Sequence, residues 1–227
     1  MLMVPFVTVA ASLALLLGVP CLRISVDRAQ AVPRWWARFI TRLCGVRVEV
    51  EGLEKLPSGR PYIFGANHQS QYDIYSLQGY LAVNFRWLAK MELFQIPFLG
   101  SAMRYAGCIP IDRMRGRQAM ESLNEAAERI AAGTSVVIFP EGTRSRDGKM
   151  QDFKSGGMVL AIKSGVPLVP LAIIGSHEVL PKGELLARPG LIRIRVGTPI
   201  ETKPYSVKQK QELAHRLQLE VAALLAE

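Results

Sequence analysis

Residues 116–140 read GRQAMESLNEAAERIAAGTSVVIFP, and this stretch decides the fold class. Its first part has helical spacing and ends at Gly133, the residue type that closes helices in a left-handed conformation. The run TSVVIFP, residues 134–140, is apolar and β-branched, the composition of a strand buried on both faces. A helix followed at once by such a strand is the repeating unit of an α/β domain.

The pattern continues in both directions. Upstream, VRVEVEG (46–52) alternates as a strand and RPYIFGA (60–66) is a buried strand. SQYDIYSLQGYLA (70–82) has helical spacing, FRWLAK (85–90) is a short strand, PFLGSAMRYAG (97–107) a short helix and CIPID (108–112) a strand. Downstream, FKSGGMVLAIKSG (153–165) is a helix, VPLVPLAIIG (166–175) and LIRIRVGTP (191–199) are strands, and residues 206–226 form an amphipathic helix. The expected fold is α/β: a mixed, largely parallel sheet flanked by helices, with an N-terminal membrane-attachment helical segment. Residues 1–45 form that segment and 46–227 the α/β domain. Ligands in such sheets gather beyond the strands' carboxyl ends. Three polar clusters fall there: NHQSQYD (67–73), DRMRGR (112–117) and PEGTRSRDGK (140–149).

The chain has 227 residues, enough for one domain with a sizeable core. A formal net charge of +9 and a pI near 9.7 favour anionic partners, nucleic acid or acidic lipid. A mean hydropathy of +0.17 leans toward a membrane. Three scattered cysteines and three histidines offer neither a disulfide framework nor a metal-ligand cluster. The aromatic-and-basic motif of RNA binders is missing from the domain, so no nucleic-acid partner is expected.

Residues 1–22, MLMVPFVTVAASLALLLGVPCL, carry no charge and match a ~30 Å hydrocarbon core in helical length. A cleaved signal peptide would need basic residues before the apolar run, and none is there. Arg23, Arg28, Arg34, Arg38, Arg42 and Arg47 follow it, which places the remainder on the cytoplasmic face. Within PRWWARFITRLCGV (33–46), Arg34, Arg38 and Arg42 form one helical stripe and Trp35, Phe39 and Leu43 another. Such a helix lies in a lipid interface or packs on the domain's own core.

His68 and Asp73 could not share a helix face, because five residues turn through about 500°. They meet if His68 precedes the helix and Asp73 lies in its first turn. Ser70 with Asp73 three residues later matches a capping box. A carboxylate so placed accepts the Nδ1–H of the imidazole and leaves Nε2 as a base. No GxSxG motif or neighbouring cysteine supplies a nucleophile, so the pair would activate a substrate hydroxyl or water.

In FPEGTRSRDG (139–148), Glu141, Gly142, Arg144 and Arg146 sit in a glycine turn after the strongest strand, with Lys154 downstream. An arginine there either holds a phosphate or belongs to an ordinary polar loop. Arg113 after CIPID is the arginine of its cluster best placed for a site. Lys90 is either a site cation or a snorkelling surface residue.

These clusters resemble, in order, the four blocks of the glycerolipid acyltransferase family of the 1-acyl-sn-glycerol-3-phosphate acyltransferase type: NHQSQYD, GCIPIDR, FPEGTRS and VPLVPLAI. AKMELFQIPFLG (89–100) is similar to the family's segment between the first two. The resemblance implies transfer of a fatty acyl group from acyl-CoA or acyl-carrier protein to the sn-2 hydroxyl of lysophosphatidic acid, giving phosphatidate. It implies His68 as general base, Asp73 as its orienting partner, no acyl-enzyme, and no metal or cofactor beyond the acyl donor. Arg113, Glu141, Gly142 and Arg144 would hold the phosphate-bearing acceptor, with Lys90 stabilising charge. Anionic lipids are the expected surroundings, at the cytoplasmic face of the inner membrane in a bacterium. The competing readings are the same chemistry on a lyso-ornithine lipid, a lysophosphatidylcholine or glycerol 3-phosphate, and a non-catalytic lipid-binding membrane protein.

Overall fold

The strands in chain order are β1 (Val46–Glu51), β2 (Ile63–Ala66), β3 (Phe85–Lys90), β4 (Ile109–Ile111), β5 (Ser135–Ile138), β6 (Leu168–Ile174) and β7 (Gly190–Val196). The helices are α1 (Ala31–Leu43), α2 (Tyr72–Tyr80), α3 (Leu99–Tyr105), α4 (Arg117–Ala131), α5 (Gly156–Ser164) and α6 (Lys210–Ala226), with one-turn helices at Val26–Ala29 and Ser176–Val179. This computed structural model describes residues 8–13, 16, 18, 25–112 and 117–227. β1–β6 and α2–α6 fall within the stretches whose patterns predict them; β7 and α1 begin slightly before theirs, and no pattern marks the two one-turn helices.

Among the described residues the strands form one sheet in the order β1-β7-β6-β2-β5-β3-β4. All neighbours are parallel except β6 and β7, which are antiparallel. The mixed, largely parallel sheet is therefore as the sequence predicts. Its central strands β2 and β5 are buried at every position, which is why they read as continuous apolar runs.

Successive strand residues point to opposite faces and seed two cores. Ile63, Val136 and Leu168 pack under α4, α5 and α6, while Phe64, Val137 and Val169 pack under α1 and α2. α1 buries Ala37, Ile40 and Thr41, and Ile40 shares a cluster with Phe64 and Leu77. Each such fully buried aliphatic side chain contributes about 1.5–3 kcal/mol. Within residues 1–45, α1 thus shares its core with the sheet. α1 also keeps an outer face, with Trp35 59% exposed and stacked on Phe39. Arg38 belongs to the packing: its Nε donates to the carbonyl of Gly79 at 2.7 Å.

Among the described residues no helix is long and apolar enough to cross a membrane. The apolar run 1–22 lies outside the described residues except at 8–13, 16 and 18.

Candidate active site

Parallel pairing in register builds the site. Gly65 of β2 stands opposite Ile138 of β5. His68 and Glu141 each lie three residues beyond that couple, so the two loops leave the sheet side by side. The Glu141 carboxylate accepts the backbone N–H of His68 at 2.7 Å. On the other flank, the Asn67 side-chain amide takes the place of a strand rung on Ile173 of β6: Nδ2 donates to its carbonyl at 2.9 Å and Oδ1 accepts its N–H at 2.7 Å. The backbone around His68 is therefore gripped from both neighbouring strands.

His68 stands before α2 and Asp73 in its first turn. The His68 Nδ1 and the Asp73 Oδ2 are 2.8 Å apart. The same Oδ2 accepts the N–H groups of Gln69 at 2.7 Å and Ser70 at 2.9 Å. Two backbone donors fix the carboxylate, so it must be an acceptor toward the ring, and Nδ1 carries the proton. Nε2 has no hydrogen-bond partner among the described residues. Asp73 is fully buried, whereas the His68 side chain is 13% exposed. Only half of the expected capping box forms: Asp73 accepts from Ser70 N–H, but Ser70 Oγ accepts from Tyr72 N–H at 3.1 Å and not from Asp73, and donates to the Leu180 carbonyl at 2.7 Å.

Phe139, the residue after β5, covers one face of the imidazole, with ring centroids 3.9 Å apart and planes 11° from parallel. Trp87 stacks behind Phe139 at 5.9 Å. In the sequence Phe139 reads only as the end of an apolar strand, so nothing marks its contact with His68.

His68, Trp87, Lys90, Phe139, Arg144 and Lys154 all line one cavity of about 1070 Å3. Deeper walls are apolar, with Phe85, Leu88, Leu123 and Leu160. Ligand pockets typically measure roughly 300–1,000 Å3, so this one has room for a large apolar ligand beside a polar one. A polar chain crosses its wall: Trp87 Nε1 donates to Gln78 Oε1 at 2.7 Å, Gln78 to Gln30 at 3.4 Å, and Gln30 to the Ala106 carbonyl.

The predicted anion-binding residues divide into groups. Arg144 is half-buried, and its guanidinium has no carboxylate or hydrogen-bond acceptor among the described residues. Its charge reaches Tyr75, offsetting part of the rise that burial imposes on that phenol. Lys182 holds the loop by donating to the Arg144 carbonyl at 2.7 Å. Lys90 ends β3 and is exposed at the cavity rim. Gly142 has φ +77°, and a Cβ there would meet the Lys154 Nζ at 3.2 Å. Arg146 is exposed and does not line the cavity. Arg113 lies outside the described residues.

Glu141, expected to help hold the acceptor, is engaged within the protein. It is 1% exposed, and Oε1 is taken by His68 N–H. Oε2 accepts the N–H of Gln151 at 3.2 Å and its side-chain amide at 3.1 Å. Burial pushes its carboxyl up from the usual range, and these hydrogen bonds partly restore the charged form. It joins the His68 loop to the 139–151 loop and does not itself line the cavity.

A family model described as Acyltransferase matches residues 47–174, more than half of the chain. The chain belongs to the acyltransferase family. It is 33% identical over 205 residues to the 1-acyl-sn-glycerol-3-phosphate acyltransferase of Pseudomonas aeruginosa, covering 88% of this chain and 79% of that one. A chloroplastic enzyme of the same name from Arabidopsis thaliana is 39% identical over 156 residues, 68% of this chain and 44% of its own length. The chain spans less than half the length of the plant and algal relatives it matches. Its fold is similar to the crystal structure of the 1-acyl-sn-glycerophosphate acyltransferase PlsC of Thermotoga maritima: TM-score 0.74, 31% identity, 86% of this chain and 78% of that one. Among the described residues, His68 of the His68–Asp73 pair and the side chains of Lys90, Arg144 and Lys154, which have no ion-pair partner, thus share one large cavity.

Proposed function

We propose that this acyltransferase moves a fatty acyl group from acyl-CoA or acyl-carrier protein to the sn-2 hydroxyl of 1-acyl-glycerol 3-phosphate, giving phosphatidate. The observation that carries the reading is the His68–Asp73 pair, at 2.8 Å, on a cavity whose rim holds Lys90, Arg144 and Lys154. The names of the relatives support the choice of acceptor.

In this scheme the phosphate sits on the rim cations, with Arg113 as a further candidate. The phosphate's position sets the sn-2 hydroxyl against Nε2 of His68. Nε2 takes the hydroxyl proton as the oxygen attacks the thioester carbonyl. Asp73 stabilises the imidazolium so formed. Collapse of the tetrahedral intermediate breaks the C–S bond, and the thiolate takes the proton back. Glu141 positions His68 through its backbone, and Gly142 supplies the turn that brings Arg144 to the rim. The acyl chain lies along the apolar wall. The thioester is already activated, so the scheme calls for no cofactor. A general base of this kind contributes about 10²–10⁴-fold. The chain works at a membrane, held by residues 1–22 and by anionic lipid, on the cytoplasmic face of the inner membrane in a bacterium.

The test is turnover by the purified full chain with one acyl donor and four acceptors: lysophosphatidate, lysophosphatidylcholine, a lyso-ornithine lipid and glycerol 3-phosphate. Lysophosphatidate should be preferred, and equal turnover with another acceptor would overturn the assignment. His68→Ala should abolish transfer and leave vesicle binding intact. Retained transfer in that variant would remove the mechanism.

A further inference from the structure

Between β3 and α3 the chain displays apolar side chains outward. Phe98 is 67% exposed, Ile96 45%, and Met91, Leu93 and Tyr105 are each 37% exposed. Phe98 is also the one non-glycine residue with positive φ among those described, at +63°. A bulky residue adopts that conformation only where its surroundings over-determine it.

The surroundings do so here. Phe94 is buried, and Arg104 donates to its carbonyl at 2.8 Å while lying over its ring. Gly100 packs against that same carbonyl so closely that a Cβ would stand 2.1 Å from it. Gly100 N–H bonds the Ile96 carbonyl at 2.8 Å and Ala102 N–H the Phe98 carbonyl at 2.9 Å. A rigid base thus holds an exposed phenyl ring, where glycine would meet the backbone requirement more easily.

We propose that residues 91–105 form a lipid-docking surface, separate from the N-terminal segment, that inserts Phe98 and Ile96 into the bilayer interface beside the cavity mouth. The occupant is a bilayer because three features coincide. The first is position: Lys90, Leu93 and Leu99 line the cavity, so the patch adjoins its entrance. The second is continuity. Ala102 and Ala106 pack on Ala29 and Val32, which joins α3 to the start of α1 and its exposed Trp35. The third is charge. Lys90 and Arg104 flank the apolar residues against the single acid Glu92, in a chain of net charge +9. Aromatic rings bordered by bases suit an anionic lipid interface. The last link, delivery of a lipid acceptor straight into the cavity, rests on the proposed function.

The test uses the full chain and two forms of acceptor: long-chain lysophosphatidate in phosphatidylglycerol-containing vesicles, and a short-chain analogue dispersed as monomer. Phe98→Gly keeps the positive φ and removes the ring, and Ile96→Asp with Phe98→Asp adds charge. Phe98→Gly should lower the vesicle-to-monomer turnover ratio about tenfold, and the double variant more. The thermal transition of Phe98→Gly should not fall. An unchanged ratio in both variants overturns the docking surface. So does an equal loss on both acceptors, which would assign the patch to catalysis. A wild-type dimer split by Phe98→Gly at unchanged ratio would assign it to a second copy and also overturn it. If the wild type used neither acceptor while Phe98→Gly still weakened vesicle flotation, docking would stand and the proposed function would fall.

Discussion

Glu141→Gln separates a ligand-binding residue from a positioning one. The wild-type carboxylate accepts from three donors: His68 N–H at 2.7 Å, Gln151 N–H at 3.2 Å and the Gln151 amide at 3.1 Å. A glutamine presents one oxygen and one NH2. Turning the oxygen to His68 leaves the Gln151 backbone N–H facing another donor, and the reverse orphans His68 N–H. An unsatisfied buried donor costs about 1–3 kcal/mol, and replacing a charged acceptor by a neutral one costs roughly another 1 kcal/mol. Relief of the buried charge offsets part of this, leaving a net loss of about 2 kcal/mol and a fall in Tm of roughly 4–8 °C. The catalytic consequence follows from displacement of the His68 loop: kcat should fall about 10–100-fold with little change in acceptor KM. Steady-state kinetics and thermal melts check both expectations. A raised KM with kcat and Tm unchanged would refute the reasoning and return Glu141 to the acceptor. A pH signature accompanies it. The folded carboxyl is raised above its unfolded value, so the folded state binds the proton more readily. This group's contribution is therefore largest below the unfolded pKa and is lost as pH rises through the folded one. In Glu141→Gln that part of the pH dependence should vanish.

Arg144→Ala and Lys90→Ala should each raise KM for a phosphate-bearing acceptor about tenfold or more, as loss of a charged hydrogen bond requires, with smaller effects on a phosphate-free acceptor. Phe139→Leu should leave that KM alone and lower kcat several-fold, because it frees the imidazole plane; an unchanged kcat would show that Asp73 alone orients the ring. Gly175→Ala should destabilise the fold by about 2 kcal/mol or more, read in thermal melts: φ is +84°, and a Cβ would stand 2.2 Å from the Leu191 carbonyl oxygen.

Element type and order were legible because buried strands and packed helices leave different periodicities. VVI in β5 and the spacing of α4 admit one reading each. Strand order was not legible. β1 takes β7 as its neighbour, and Glu49 and Arg193, which pair across them, are 144 residues apart. No local pattern encodes that choice. The His68–Asp73 pair was legible only in company: its spacing permits a loop histidine ahead of a first-turn aspartate, but fits a capping aspartate beside an unrelated histidine as well, and the other clusters decided between them. The bonding of Glu141 was not legible for a physical reason: a carboxylate in a glycine turn has the same sequence context whether it faces solvent or two buried loops. The dual nature of α1 was legible only in part, since its stripes show amphipathicity but do not say that Ile40 faces Phe64.

The separation of base from cations has a chemical consequence. A histidine able to deprotonate an alcohol can also deprotonate water, which would hydrolyse the thioester. His68 stands in the loop just beyond the carboxyl end of β2, its side chain 13% exposed and one ring face under Phe139. The bases that would hold a phosphate stand at the rim, where Lys90 and Lys154 are exposed. Under the proposed function, an acceptor anchored by its phosphate would fill the space over Nε2 with its own hydroxyl and displace water from it. Selection of alcohol over water would then depend on the rim cations as much as on the base, because they would set the occupancy of that space. Weakening the rim should raise the fraction of thioester lost to hydrolysis even where His68 and Asp73 are untouched.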